Sequence, residues 1–190
     1  MADPRSGVGS VGRQGGLRDR VIHAEASTAA ITLRGATSED REMLFQWRND
    51  PWIVSLSTSR KTVAWDEHRQ WFDGVLHNDD HLLFIVETMD GIPAGTVRLD
   101  RLDKGTARVT VYLLRPFTDH GRGVAALREA CGRAFGTWPI TRVVAAVRHD
   151  NRRSLSAFAK AGFRVEESDI APPPDHRMMV LAREGEGRCP

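Results

Sequence analysis

The sequence predicts one mixed α/β domain over residues 30–183, with its elements in the order β-α-α-β-β-β-α-β-α-β-β. Three observations carry this reading. Apolar residues alternate through two neighbouring segments, Gly95–Leu102 and Thr106–Leu114, with only Asp103-Lys104-Gly105 between them. That is the pattern of a hairpin in a half-buried sheet. Beyond residue 120 the period changes, and helical stripes alternate with short apolar runs. The composition, 41% hydrophobic and 27% charged, is that of a globular domain able to bury a core without staples. The expected product is a mixed, mostly antiparallel central sheet with helices on both faces.

Taken in order, Ala30–Arg34 reads as a short first strand. Thr37 or Ser38 can cap a helix whose first turn holds Glu39 and Asp40. Asp40, Leu44 and Trp47 share one of its faces, and Asp50-Pro51 ends it. Trp65, His68, Phe72 and Val75 recur at helical spacing and predict a helix over 65–76. Leu82–Glu87 is a short apolar run, hence a buried strand, and Asp90-Gly91-Ile92-Pro93 is a turn. In the next strand Val97 and Leu99 face one side and Thr96, Arg98 and Asp100 the other, while Ala107, Val109, Val111 and Leu113 share a side of its partner. Val124, Leu127, Cys131, Ala134 and Phe135 mark a helix starting near Gly121–Gly123. Val143–Val147 is a strand. Leu155, Phe158 and Ala159 mark a helix capped at Asp150 or Asn151 and ended by Gly162. Phe163–Glu166 and Arg177–Ala182 close the domain as strands joined by the Pro-rich loop Ala171–Asp175.

Residues 1–29, with five glycines and four arginines, read as a disordered tail, as does 184–190. The formal net charge of +2 argues against a nucleic-acid coat. No apolar run is long enough for a membrane helix, and no leader segment is expected at the N-terminus. The cysteines, Cys131 and Cys189, make neither a disulfide framework nor a metal site, so a reducing cytoplasm is the expected setting. Cys131, on a buried helical face, is expected to be inert. The near-neutral total conceals local charge. Arg115, Arg122 and Arg128 stand against Asp119, and Arg148, Arg152, Arg153 and Lys160 against Asp150, at the starts of the last two helices.

Chemistry concentrates at those starts. Strand 106–114 runs into Arg115-Pro116-Phe117-Thr118-Asp119-His120-Gly121-Arg122-Gly123-Val124-Ala125 and then a helix. The glycines let backbone approach a ligand closely, and free N–H groups at the helix start suit a phosphate or pyrophosphate. Gly-Lys-Ser/Thr is absent, so this is not a Walker loop, and the glycine spacing is not that of a dinucleotide fold. Alone, the segment also reads as a plain glycine turn feeding a helix. A second segment stands beside it: a strand followed by Asn151, Ser154, Phe158 and Lys160-Ala161-Gly162-Phe163.

Together these motifs resemble the GNAT acyltransferase superfamily. Its pyrophosphate signature, Arg/Gln-x-x-Gly-x-Gly/Ala, is similar to His120-Gly121-Arg122-Gly123-Val124-Ala125, with His at the usual Arg/Gln position. Its later signature, an Asn followed by a helix ending in Lys-x-Gly-Phe, resembles Asn151 to Phe163. Trp47-Arg48-Asn49-Asp50 and Trp65-Asp66-Glu67-His68 to Trp71-Phe72 resemble the branch of ribosomal-protein N-terminal acetyltransferases and N-acetyltransferases of nucleotide-linked amino sugars. The resemblance covers residues 31–183. It implies acetyl-coenzyme A as donor, no metal, and direct attack by an acceptor amine in a ternary complex. It implies a donor site of Val111, Leu113, Leu114, Arg115, His120, Gly121, Arg122, Gly123, Val124, Ala125, Asn151, Phe158 and Lys160. Strands 106–114 and 143–147 are expected to splay. Pantetheine would pair with backbone near Val111–Leu113, and an N–H near Leu113 would hold the oxyanion.

Many relatives place on the helix after the Asn a Tyr that protonates the leaving thiolate; Phe158 stands there in this chain. A thiol of ordinary pKa about 8.5 leaves tolerably without strong acid help, and Ser154 or a water on Asn151 can supply the proton. Tyr112, the single Tyr, either orients the amine or packs. His68 reads either as a base or as a packed histidine. Glu87 and Asp100 can accept a proton through water. Arg48 and Asn49 lie where an acceptor would enter, and Trp47, Trp65 and Trp71 read as core. The resemblance implies a small-molecule amine as acceptor, an amino sugar or nucleotide-linked amino sugar first; a cytoplasmic monomer or homodimer, with neither nucleic acid nor membrane as partner, is expected. A protein N-terminal acetyltransferase and a non-catalytic acyl-coenzyme A-binding module are the alternatives.

Overall fold

The computed structural model describes residues 29–166 and 170–183. The expected tails at 1–29 and 184–190, with Cys189, lie outside the described residues except for Ala29. Strand β1 (Ile31–Gly35) is followed by a 3-10 turn, Ser38–Asp40, and helix α1 (Arg41–Arg48). The turn is closed by Asp40, whose carboxylate accepts the Thr37 N–H at 2.8 Å. Asp40 also takes Arg34, which ties the helix entry to the edge strand and holds the carboxyl below its usual range.

One helix was not expected. Asp50-Pro51, read as a stop, also begins α2 (Pro51–Leu56). The Asp50 carboxylate accepts N–H groups from Trp52 at 2.8 Å and Ile53 at 3.3 Å, and Pro51 sits at the first position, where its missing N–H costs nothing. Helix α3 (Trp65–Leu76) buries His68, Phe72 and Val75 as its spacing requires. Trp65 and Trp71, expected in the core, are 41% and 37% exposed, because they lie on the flanks of that stripe.

A meander follows: β2 (His81–Thr88), β3 (Pro93–Arg101) and β4 (Thr106–Leu113). Helix α4 (Arg122–Thr137) crosses to β5 (Arg142–Arg148), then come α5 (Arg152–Ala161), β6 (Arg164–Val165) and β7 (His176–Ala182). The seven strands lie in the order β1-β2-β3-β4-β5-β7-β6. Among the described residues only β4 and β5 pair in parallel; β7 inserts antiparallel between β5 and β6, so the second crossover is split.

The sheet separates two apolar layers. On one face α4 and α5 pack over Val97, Leu99, Val109, Val143 and Val147. On the other, Leu44, Phe72 and Val75 of α1 and α3 cover Leu83 and Ile85 of β2. Strand β2 is thus buried on both faces, which explains its continuous apolar run. Among the described residues no helix is long and apolar enough to cross a membrane. Cys131 is free and sits on the buried face of α4, where burial pushes its thiol up to about 12 and disfavours the thiolate.

Candidate active site

The cleft is opened by a mismatch between two neighbouring strands. β4 and β5 pair only from Thr106–Arg142 to Arg108–Val144, and beyond that point no pairing joins them. β4 stays paired to β3 up to Leu113, and the Leu114 N–H donates to the Ala94 carbonyl at 2.9 Å. Since backbone groups alternate along a strand, Val111 and Leu113 turn theirs away from β3 and into the gap. They form an open strand edge of the kind that accepts an extended ligand. Leu114, expected to join them, is committed to β3.

One rim of the gap is the loop between β4 and α4. Asp119 and Gly121 both adopt left-handed backbone, at φ 69° and 75°. Gly121 is the N-cap of α4 and offers no side-chain cap. Val124 and Ala125 return their N–H groups to the Gly121 carbonyl at 3.0 and 3.1 Å. The N–H groups of Arg122 and Gly123 have no partner among the described residues and lie at the positive end of a sixteen-residue helix. Gly121, Gly123 and Val124 line the cleft. His120 is exposed, and neither it nor Arg115, Arg122 nor Ala125 is part of the wall. Arg122 instead stacks 5.9 Å over Phe117, with a buried Nε that has no hydrogen-bond partner among the described residues.

The opposite rim is the start of α5. The Asn151 side chain accepts the Ser154 N–H at 3.1 Å, so it caps the helix while lining the cleft. Ser154 and Lys160 also line it. Phe158 is buried and meets Phe163 edge-on at 4.9 Å, which makes it a core residue that also closes the cleft floor. Arg153 pairs with Asp119 at 3.0 Å, joining the two rims.

Trp52 of the unexpected helix α2 reaches this edge, with the Arg115 guanidinium 5.4 Å and that of Arg153 5.2 Å from its ring. Sequence reading missed Trp52 because its helix is too short to show a periodicity.

The cleft, about 1090 Å³, continues to the other face of the sheet, between the strands and the α1–α3 layer. Tyr112 and Arg98 line it there. Tyr112 is half-buried, its hydroxyl has no protein partner among the described residues, and burial holds its phenol above the usual range, hence protonated. Arg48 lines the same region and donates to Ser59 Oγ at 3.2 Å, while its Nη1 is buried without a partner among the described residues. His68 is buried among Phe45, Trp65, Trp71 and Phe72. Its Nε2 donates to the Arg41 carbonyl at 2.9 Å, and desolvation lowers its pKa. Asn49, read as an acceptor contact, and Asp100, read as a proton acceptor through water, are engaged elsewhere. Asn49 accepts the Val63 N–H at 2.8 Å and donates to the Val63 carbonyl at 3.1 Å. Asp100 pairs with His81 at 2.8 Å and Arg98 at 3.0 Å. Glu87 is bound to Arg34 at 2.7 Å.

Free N–H groups at the start of α4, an open strand edge and the basic side chains of Arg153 and Lys160 on α5 fit a donor with a polyphosphate head and an amide-bearing arm. Among the described residues no group of His, Cys, Asp and Glu is placed to hold a metal. The arrangement is that of a transferase whose donor and acceptor meet through a splayed sheet.

Comparison with known proteins agrees. The sequence model of the acetyltransferase (GNAT) domain matches residues 30–164. The chain belongs to this family and is an N-acetyltransferase with acetyl-coenzyme A as donor. No curated protein matches it in sequence. Solved structures share its fold at low identity. Aminoglycoside acetyltransferase AAC(6')-Ib with coenzyme A is 21% identical with a TM-score of 0.68, over 81% of this chain and 95% of that one. The same enzyme with coenzyme A and kanamycin gives 20% and 0.69, over 81% and 95%. Spermidine N-acetyltransferase from Vibrio cholerae with coenzyme A and spermine gives 17% and 0.68, over 80% and 95%.

Proposed function

We propose that the protein acetylates a primary amine of a small molecule, an amino sugar or nucleotide-linked amino sugar first, in the cytoplasm and as a monomer or homodimer. The observation that carries this reading is the two-sided cleft: the Gly123 N–H, without a partner among the described residues, on one side of the gap, Tyr112 and Arg48 on the other. The kanamycin- and spermine-bound structures of the same fold favour a small-molecule amine over a protein N-terminus.

In this reading the donor supplies an activated acetyl thioester. The neutral amine attacks its carbonyl carbon, a C–N bond forms and the C–S bond breaks; the nitrogen gives up one proton to water in the cleft and the thiolate takes up one, so coenzyme A leaves as the thiol. The open edge at Val111–Leu113 positions the carbonyl, and the Leu113 N–H stabilises the oxyanion. Tyr112 orients the amine. Ser154, or a water on Asn151, returns a proton to the thiolate. His68 shapes the acceptor wall through its bond to Arg41.

The test is thiol release from acetyl-coenzyme A with an amine panel, products identified by mass spectrometry. Acetylation of a small amine is expected. Exclusive acetylation of peptide N-termini, or cofactor binding without transfer to any amine, overturns it.

A further inference from the structure

We propose that the acceptor carries an anionic group, a carboxylate or a phosphate, that docks on Arg48; this rests on the acetyltransfer reading above. Arg48 is the central observation. It lies at the C-terminal end of α1, half-buried, and lines the acceptor half of the cleft. Ser59 engages its Nη2, but Nη1 is buried with no partner, and no carboxylate pairs with it among the described residues. A buried guanidinium N–H without an acceptor is costly, and a ligand oxygen relieves that cost. The planar fork of Arg receives a carboxylate or phosphate through two bonds.

The surroundings reinforce this. Arg98 stands on the same side, 5.3 Å over the Trp71 ring, and its charge and that of Arg48 both act on the Tyr112 phenol. Its own charge is balanced by Asp100. Arg148, further along, is balanced by Asp150. Arg108 is exposed on the cleft wall and has no ion-pair partner among the described residues. Among the described residues of the acceptor walls, one uncommitted carboxylate, Glu67, stands against Arg48 and Arg108. A polycation of the kind bound by the structural neighbours would meet more positive than negative charge there. An amine joined to an anion meets complementary charge there.

Matched amines test this: an α-amino acid against its amide, and a hexosamine phosphate against the hexosamine, with spermine and kanamycin as polycations. Binding to the full chain saturated with coenzyme A is read by titration calorimetry, and turnover by thiol release. At least one anionic member is expected to exceed its neutral partner and both polycations tenfold in affinity and in kcat/KM. The amino acid pair and the hexosamine pair separate carboxylate from phosphate. Arg48→Met is expected to erase the preference through KM, and Arg48→Lys to restore part of it. If Arg48→Met does not fold, Arg48→Gln carries the same expectation. Equal or better binding of the neutral or polycationic amines overturns the proposal, as does a preference that survives loss of Arg48. A chain that fails to bind coenzyme A fails the acetyltransfer reading instead, and the titration without cofactor still reports the anion preference.

Discussion

Gly121 and Gly123 differ in what they do, although both belong to one motif. Gly121 adopts φ 75°, so any replacement strains the loop by about 1–2 kcal/mol before a ligand is considered. A Cβ on Gly123 would lie 3.7 Å from Leu113 Cδ1, an ordinary contact, and would project beside the unpartnered N–H groups. Gly123→Val is therefore the cleaner probe. It should weaken coenzyme A binding at least tenfold by calorimetry, while the melting temperature moves by no more than about 3 °C. His68 titrates in the other direction from a surface histidine. Its folded pKa lies below the unfolded value of about 6.5, so the unfolded chain binds more protons as pH falls through that value. Stability contributed by neutral His68 is complete above pH about 6.5 and is lost below it. A melting series from pH 7.5 to 5 should therefore fall less steeply for His68→Asn than for the parent. The buried position of His68 was legible from the 65–76 stripe, but its bond to Arg41 was not, because that partner is 27 positions away.

Among the elements, β3 and β4 carry the tightest constraint. A Cβ on Gly95 would meet the Tyr112 carbonyl oxygen at 2.3 Å and Leu113 Cα at 2.8 Å, both backbone atoms. Close strand approach there holds the edge at Val111–Leu113 in place. Gly95→Ala should cost about 3 kcal/mol in chemical denaturation and lower kcat as well, since β4 must move. A variant of parental stability and activity would show that this approach is relaxed easily. Strand alternation made β3 and β4 readable, because each buries one face. Helix α2 was unreadable for the opposite reason: six residues give no period, and Asp50-Pro51 signals a stop as strongly as a start. Trp52 was lost with it, and so was the stacking of Arg115 and Arg153 on its ring.

For the whole molecule, the decisive feature is a sheet that is continuous at one end and divided at the other. Both helix starts that flank the division carry basic residues, so a polyanionic donor stabilises the assembled domain by binding only its folded form. Coenzyme A at a hundred times its Kd contributes about 2.7 kcal/mol, which for a chain of 190 residues should raise the melting temperature by roughly 5–10 °C. The shift should shrink with added salt, and an absence of shift at millimolar cofactor would remove the donor assignment from this loop. The excess of Arg over Lys, 24 against 3, extends through the whole chain and is not explained by the site.

The sequence by itself determined the order of nearly all the elements, the glycine loop at 121–123, the capping Asn151 and, through these, the family. Such features depend on neighbours in the chain: alternation, helical period and turn chemistry are local physics. Only the tertiary structure decided which side chains share the cleft. It turned Asn49 to Val63 and Asp100 to His81 and Arg98, placed β7 between β5 and β6, and left Arg48 with a buried, unpartnered Nη1. These outcomes rest on pairing across long separations, where the competition among several charged partners is settled by distance and burial rather than by position along the chain.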